Sequence, residues 1–145
     1  MKSFLSAAFL ACLTAPLAAQ ELAPLPDEAP LYDAVMANIS GQVPEGRFID
    51  SISRWQADVV GDTTPDQIVQ AVVGYDGGNG YDFWHWIFIG AEGGFAGMFP
   101  IQLNGGAVTA VRLDGEVLAF TLSTYLPSDA RCCPTGVEVI RMPLR

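Results

Sequence analysis

Two adjacent cysteines, Cys132 and Cys133, stand in the segment Ser128-Asp129-Ala130-Arg131-Cys132-Cys133-Pro134-Thr135-Gly136. In an oxidising compartment such a pair bonds internally, pairs between chains or stays as free thiols. Consecutive α-carbons lie about 3.8 Å apart, against a usual disulfide span of roughly 4.4–6.8 Å, so a bond between neighbours is expected to form a strained ring. Such a ring closes almost no chain and adds little entropic stability. Three uses are open to it. It can act as a rigid corner, stiffened by Pro134, that delivers residues 136–142 as a last strand; as a hard apolar platform for a ligand; or as a thiol–disulfide redox pair.

A second constellation is Tyr75-Asp76-Gly77-Gly78-Asn79-Gly80-Tyr81-Asp82-Phe83-Trp84-His85-Trp86, a glycine-rich loop rimmed by aromatic and acidic residues. Aromatic faces with a few polar groups bind sugars, cationic ligands and peptide side chains. Tyr75, Asp76, Asn79, Tyr81, Asp82, Trp84 and Trp86 are therefore the candidate ligand-binding residues. The competing reading is a plain long hairpin turn leading into core aromatics. A phosphate cradle does not fit, because no lysine follows and the loop carries Asp76 and Asp82. His85 is the single histidine and is expected as a hydrogen-bonded sheet residue, which leaves a transition-metal site without support. No Gly-x-Ser-x-Gly segment occurs and the carboxylates cluster in turns, so no enzyme template is met and no catalytic residue is assigned.

Two local resemblances add to these readings. Asp58-Val59-Val60-Gly61-Asp62-Thr63-Thr64-Pro65-Asp66 resembles the calcium loops of FG-GAP and VCBS repeats. In those loops aspartates at positions 1, 5 and 9 and an oxygen ligand at position 3 surround the ion; here Asp58, Asp62 and Asp66 hold the aspartate positions. Val60 stands at position 3 and Thr63 where a glycine follows the second aspartate. Calcium takes six to eight oxygens, so backbone or water must supply the difference. The alternative is a tight loop whose carboxylates cap backbone amides. The segment from Tyr125 to Gly136, with its acidic residue and Cys-Cys-Pro, is similar to the Asp-x-x-Cys-Cys-Pro-Ser segment of the LppP/LprE type of exported lipoproteins. That resemblance implies a small β-rich envelope domain; Thr135 replaces the serine.

These groups are positioned by an exported chain. Met1 to Ala19 reads as a signal peptide, with Lys2 as the n-region, Phe4 to Leu13 as the apolar core and cleavage expected before Gln20. The apolar run is too short to span a bilayer, which needs about 20 residues, so no transmembrane segment is expected. A lipid-anchored alternative would use Cys12, to which Phe9-Leu10-Ala11 is a poor approach. Removing this segment takes away the only lysine and no acid, moving the net charge from −9 to −10 and placing the body in the periplasm or outside the cell. So acidic a body lacks the cationic patch that nucleic acid or an anionic membrane surface requires. The partner is expected to be an envelope protein or a small ligand, with calcium as the only cofactor for which any residues speak.

Residues 20–30, with Pro24, Pro26 and Pro30, read as an extended proline-rich leader, and residues 31–145 as one domain. Leu31, Val35 and Ile39 recur at helical spacing before Gly41, predicting a short helix over 31–40. Beyond Arg47 the pattern predicts about seven strands in an antiparallel, mainly β, sandwich-like meander: 47–58, 67–75, 82–90, 95–103, 107–113, 116–125 and 136–142. Tight turns are expected at Gly93-Gly94, Asn104-Gly105-Gly106 and Asp114-Gly115. Strand 82–90 is apolar on both faces and should lie centrally. The leading expectation is a non-catalytic binding domain using the 75–86 loop and the cysteine corner. A redox protein or a purely structural envelope protein are the alternatives.

Overall fold

A computed structural model describes residues 19–130 and 132–144; the segment before Ala19, expected as a signal peptide and including Cys12, lies outside the described residues. The elements run β1 (Gln20–Leu22), α1 (Tyr32–Ser40), β2 (Arg47–Ala57), β3 (Asp66–Tyr75), β4 (Tyr81–Ala91), β5 (Gly94–Ile101), β6 (Val108–Asp114), β7 (Val117–Thr124) and β8 (Gly136–Pro143). They form two four-stranded antiparallel sheets, ordered β1-β6-β7-β8 and β2-β3-β4-β5.

Alternation along the strands explains the layering. Trp55, Ile68 and Ile87 face Val111, Leu118, Phe120 and Leu122 of the other sheet and form the inter-sheet core. The opposite face of the β2–β5 sheet carries Val69, Ala71, Val73, Trp86 and Phe88, against which α1 lays Val35 and Ile39, both wholly buried. A nine-residue helix is too short to persist alone, so this packing is what holds α1. β4 is interior in its sheet and covered on both faces, as its two-sided apolar pattern requires.

Two expectations are corrected. Residues 20–30 are no spacer. Gln20–Leu22 add an eighth strand to β6, Leu25 N–H donates to the Arg54 carbonyl at 2.7 Å, and the carbonyls of Pro26, Asp27, Ala29 and Pro30 converge on the Arg54 guanidinium. Arg54 is 1 % exposed, and burial lowers its pKa against the opposing pull of Asp27, so a buried cation is satisfied almost wholly by main-chain oxygens. Prolines suit this role, because an irregular strand that cannot donate still offers its carbonyls.

The second correction concerns Asn104-Gly105-Gly106, which is the crossover from β5 to β6 in the other sheet and not a tight hairpin turn. Neither glycine takes a positive φ; they permit close approach instead. A Cβ on Gly105 would lie 2.8 Å from Leu122 Cδ2, and one on Gly106 would run into the Ser123 carbonyl. Gly93 and Gly115 do adopt positive φ, at 74° and 59°, in the β4–β5 and β6–β7 hairpins.

Candidate functional site

β4 begins four residues before its partner on one side does. β3 pairs with Tyr81–Phe88, whereas β5 pairs only with His85–Ala91 before leaving for the second sheet. The first four residues of β4 therefore have one open edge. On that edge lies a cleft of about 1310 Å³, bounded on one side by Asn79, Tyr81, Asp82, Phe83, Trp84 and Trp86 and on another by Thr124, Tyr125, Cys132 and Pro134. Side chains from both faces of β4 take part, so the cleft wraps the strand edge.

The aromatic residues are held in place by one another and by one ion pair. Tyr81 and Phe83 meet edge to face at 5.4 Å between ring centres, as do Trp84 and Trp86 at 6.1 Å. Asp82 Oδ2 accepts from Arg47 Nη1 at 2.9 Å and from the Tyr75 hydroxyl at 2.7 Å, while the Arg47 guanidinium lies 4.3 Å from the Tyr75 ring centre. The hydrogen bond to Asp82 raises the Tyr75 pKa, reinforced by burial, so the phenol stays protonated as a donor. Among the predicted binding residues, Asn79, Tyr81, Asp82, Trp84 and Trp86 line the cleft. Tyr75 and Asp76 do not; Tyr75 acts through Asp82, and the Asp76 N–H donates to the Gly46 carbonyl at 2.9 Å in the turn. Arg47, which opens β2, supports the site and carries no local signal of doing so, since its register opposite Tyr75 is a long-range fact.

His85 also lines the cleft but is 5 % exposed. Its Nε2 lies 3.1 Å from Gln70 Oε1, which also accepts the Val108 N–H at 2.6 Å. The Val108 bond identifies this atom as the amide oxygen, which can only accept, and so assigns the imidazole proton to Nε2. Burial pushes the His85 pKa down to about 4, so the ring is neutral at neutral pH.

The cysteine corner is built by a carboxylate. Asp129 Oδ2 accepts the N–H groups of Leu126 at 2.7 Å and Thr135 at 2.8 Å, and Oδ1 accepts the Thr135 hydroxyl at 2.6 Å. These bonds, the Thr135 hydroxyl foremost, hold the Asp129 pKa below its usual range. They clamp the two ends of the loop, and Gly136 then enters β8 where a Cβ would press on Thr124. Cys132 and Cys133 are bonded to each other, both are exposed, and Cys132 faces the cleft.

The aspartate loop lies elsewhere, between β2 and β3. Asp58 accepts the N–H groups of Gly61, Asp62 and Thr63; Asp62 accepts that of Thr64; and wholly buried Asp66 accepts those of Val59, Val60 and Gly90 at 2.7–3.1 Å. The carboxylates thus cap backbone amides, and no group of three His, Cys, Asp or Glu side chains arranged to hold a metal ion occurs among the described residues. No helix among the described residues is long and apolar enough to cross a membrane. Comparison with protein-family profiles, with curated proteins and with solved structures finds no match to the chain.

Proposed function

We propose that this chain is an exported, non-catalytic binding domain that takes a protein segment or a small envelope ligand in the cleft between the 75–86 region and the cysteine corner. The observation that carries this reading is that two sequence features about 50 residues apart open onto one cleft of about 1310 Å³, with Trp84 on one side and Cys132 on another. The lining suits recognition: aromatic faces, neutral hydrogen-bonding groups, and one carboxylate already held by Arg47. A thermal-shift screen of the folded protein against short peptides, soluble glycans and acyl-chain fragments tests it. A stabilising class whose effect vanishes in Trp84→Ala and Trp86→Ala variants that remain folded is the expected result; stabilisation unchanged in those variants moves the site elsewhere.

The exposure of Cys132 favours a second reading, in which a substrate dithiol is oxidised to its disulfide while Cys132–Cys133 is reduced to two thiols. Measuring the equilibrium of the pair against glutathione separates the two. A potential too negative to oxidise periplasmic dithiols removes the redox role and leaves the pair as part of the cleft wall.

A further inference from the structure

The direction of the main-chain groups along β4 follows from two hydrogen bonds outside the ladders. The Arg54 carbonyl accepts from Leu25 N–H, so the main-chain groups of Arg54 face away from β3, and those of Ser53 and Trp55 face toward it. Trp55 pairs with Ile68, which leaves Val69, Ala71 and Val73 directed at β4. Their partners Trp86, Trp84 and Asp82 are thus directed back at β3. The Gly90 N–H, bonded to Asp66 at the start of β3, falls in the same even-numbered set. The odd-numbered set, including Tyr81 and Phe83, faces the other way, where β5 pairs with His85 onward and, among the described residues, no strand lies beside residues 81–84.

Four main-chain groups, the N–H and C=O of Tyr81 and Phe83, therefore face the cleft in the alternating order of a strand edge about 13 Å long. An edge of this kind is complementary to another polypeptide backbone, and β5 already satisfies the same row two residues farther on. Side chains flank the edge on both faces, Tyr81 and Phe83 on one and Trp84 on the other, so an added strand would place alternate residues against each. Among the described residues Asp82 is the only acid lining the cleft, and the whole chain carries −9, which selects against an acidic segment.

We infer that the cleft accepts an extended, neutral or basic segment of another protein by β-strand addition to the open edge of β4 at Tyr81–Trp84. This rests on the cleft being the binding site and names its occupant. The added segment continues the line of β5, pairs its backbone with Tyr81 and Phe83, and sets apolar side chains at every second position against the two aromatic pairs.

The test uses a random nonapeptide library displayed on phage, selected on the folded protein, with the selected peptides resynthesised in two forms N-methylated at alternate residues. Proline is tolerated in a strand where its N–H would face an open side, so Phe83→Pro removes one outward donor without touching the β3 ladder, and Phe83→Ala controls for the lost ring. The expected result is peptides with apolar residues at alternate positions. One methylated form should bind roughly tenfold or more weaker while the other is little changed, and Phe83→Pro should bind about tenfold weaker than Phe83→Ala. The methylated peptides keep the test decisive if Phe83→Pro does not fold. Equal binding of both methylated forms, with Trp84→Ala still abolishing it, overturns strand addition and leaves the cleft as a side-chain site. Failure to select any peptide sensitive to Trp84→Ala overturns the peptide occupant, while a glycan or acyl fragment that stabilises the protein through Trp84 would keep the broader reading.

Discussion

Acidification should destabilise this protein through His85 before most of its carboxylates titrate. The ring is 5 % exposed, bonded to Gln70, and has a pKa near 4 in the folded state because burial disfavours the imidazolium; unfolded, it returns to about 6.5. Between these values the unfolded chain binds more protons than the folded one, so stability rises with pH through the window and falls as pH drops. The 2.5-unit difference corresponds to about 3 kcal/mol lost by pH 4, of which about 2 kcal/mol is gone at pH 5 and almost none at pH 7. Carboxylates such as Asp129, held low by Thr135 and Leu126, add a loss of the same sign only at lower pH. His85→Gln isolates the histidine, since a side-chain amide can still donate to Gln70. Urea unfolding from pH 4 to 7.5 should show a pH-dependent stability in the wild type that is shallower in the variant by this amount. An imidazole C–H resonance with a native midpoint near 6.5, or identical slopes in the two proteins, would refute the reasoning.

Arg54→Met removes the shared donor of the Pro26, Asp27, Ala29 and Pro30 carbonyls, leaving Pro26 only the Ala29 N–H and Pro30 only the Gln67 side-chain amide, and should cost about 2–4 kcal/mol in urea unfolding, with early proteolytic release of residues 20–30. Asp66→Ala strands three backbone amides and should cost about 3 kcal/mol or more by the same measurement, whereas EDTA should leave the melting temperature of the wild type unchanged. Asp129→Ala should speed limited proteolysis within residues 126–135 while the near-ultraviolet signal of the tryptophans stays native; a cleavage rate equal to that of wild type would show that the clamp is not what orders the loop.

Periodicity made most of the architecture legible. Seven strands and the helix fall within two residues of their expected ends, because two covered faces on β3 and β4 and glycines at the β4–β5 and β6–β7 hairpins write themselves into local sequence. What the sequence hid was long-range. Gln20-Glu21-Leu22 is too short to show alternation, and its partner lies at residues 111–113. Arg54 looks like any exposed strand residue until the prolines fold over it. The glycines at 105 and 106 have the composition of a turn, but the constraint on them is contact with β7. For the site, the aromatic run and the cysteine pair were visible one at a time. Their joint use was an expectation; the open edge of β4 between them was not legible, since it depends on β5 leaving β4 early to cross between the sheets.

The Asp129 clamp bears on what the cysteine ring contributes. Residues 126 and 135 are already tied through one carboxylate, and the Cys133 N–H bonds the Ala130 carbonyl at 3.0 Å, so the loop is closed without any cross-link. A bond between neighbours removes almost no freedom from the unfolded chain. Global stability is thus a weak reason for the pair to be bonded. The consequence with physical content is local: two exposed thiols become one compact, non-ionising surface beside Pro134, facing a cleft whose other side is Trp84 and Trp86. A ligand that packs against aromatic rings on one side gains from an apolar, immobile wall on another, because little side-chain entropy is left to lose on binding. On the proposed binding role, the ring would act on affinity in the cleft more than on the stability of the domain.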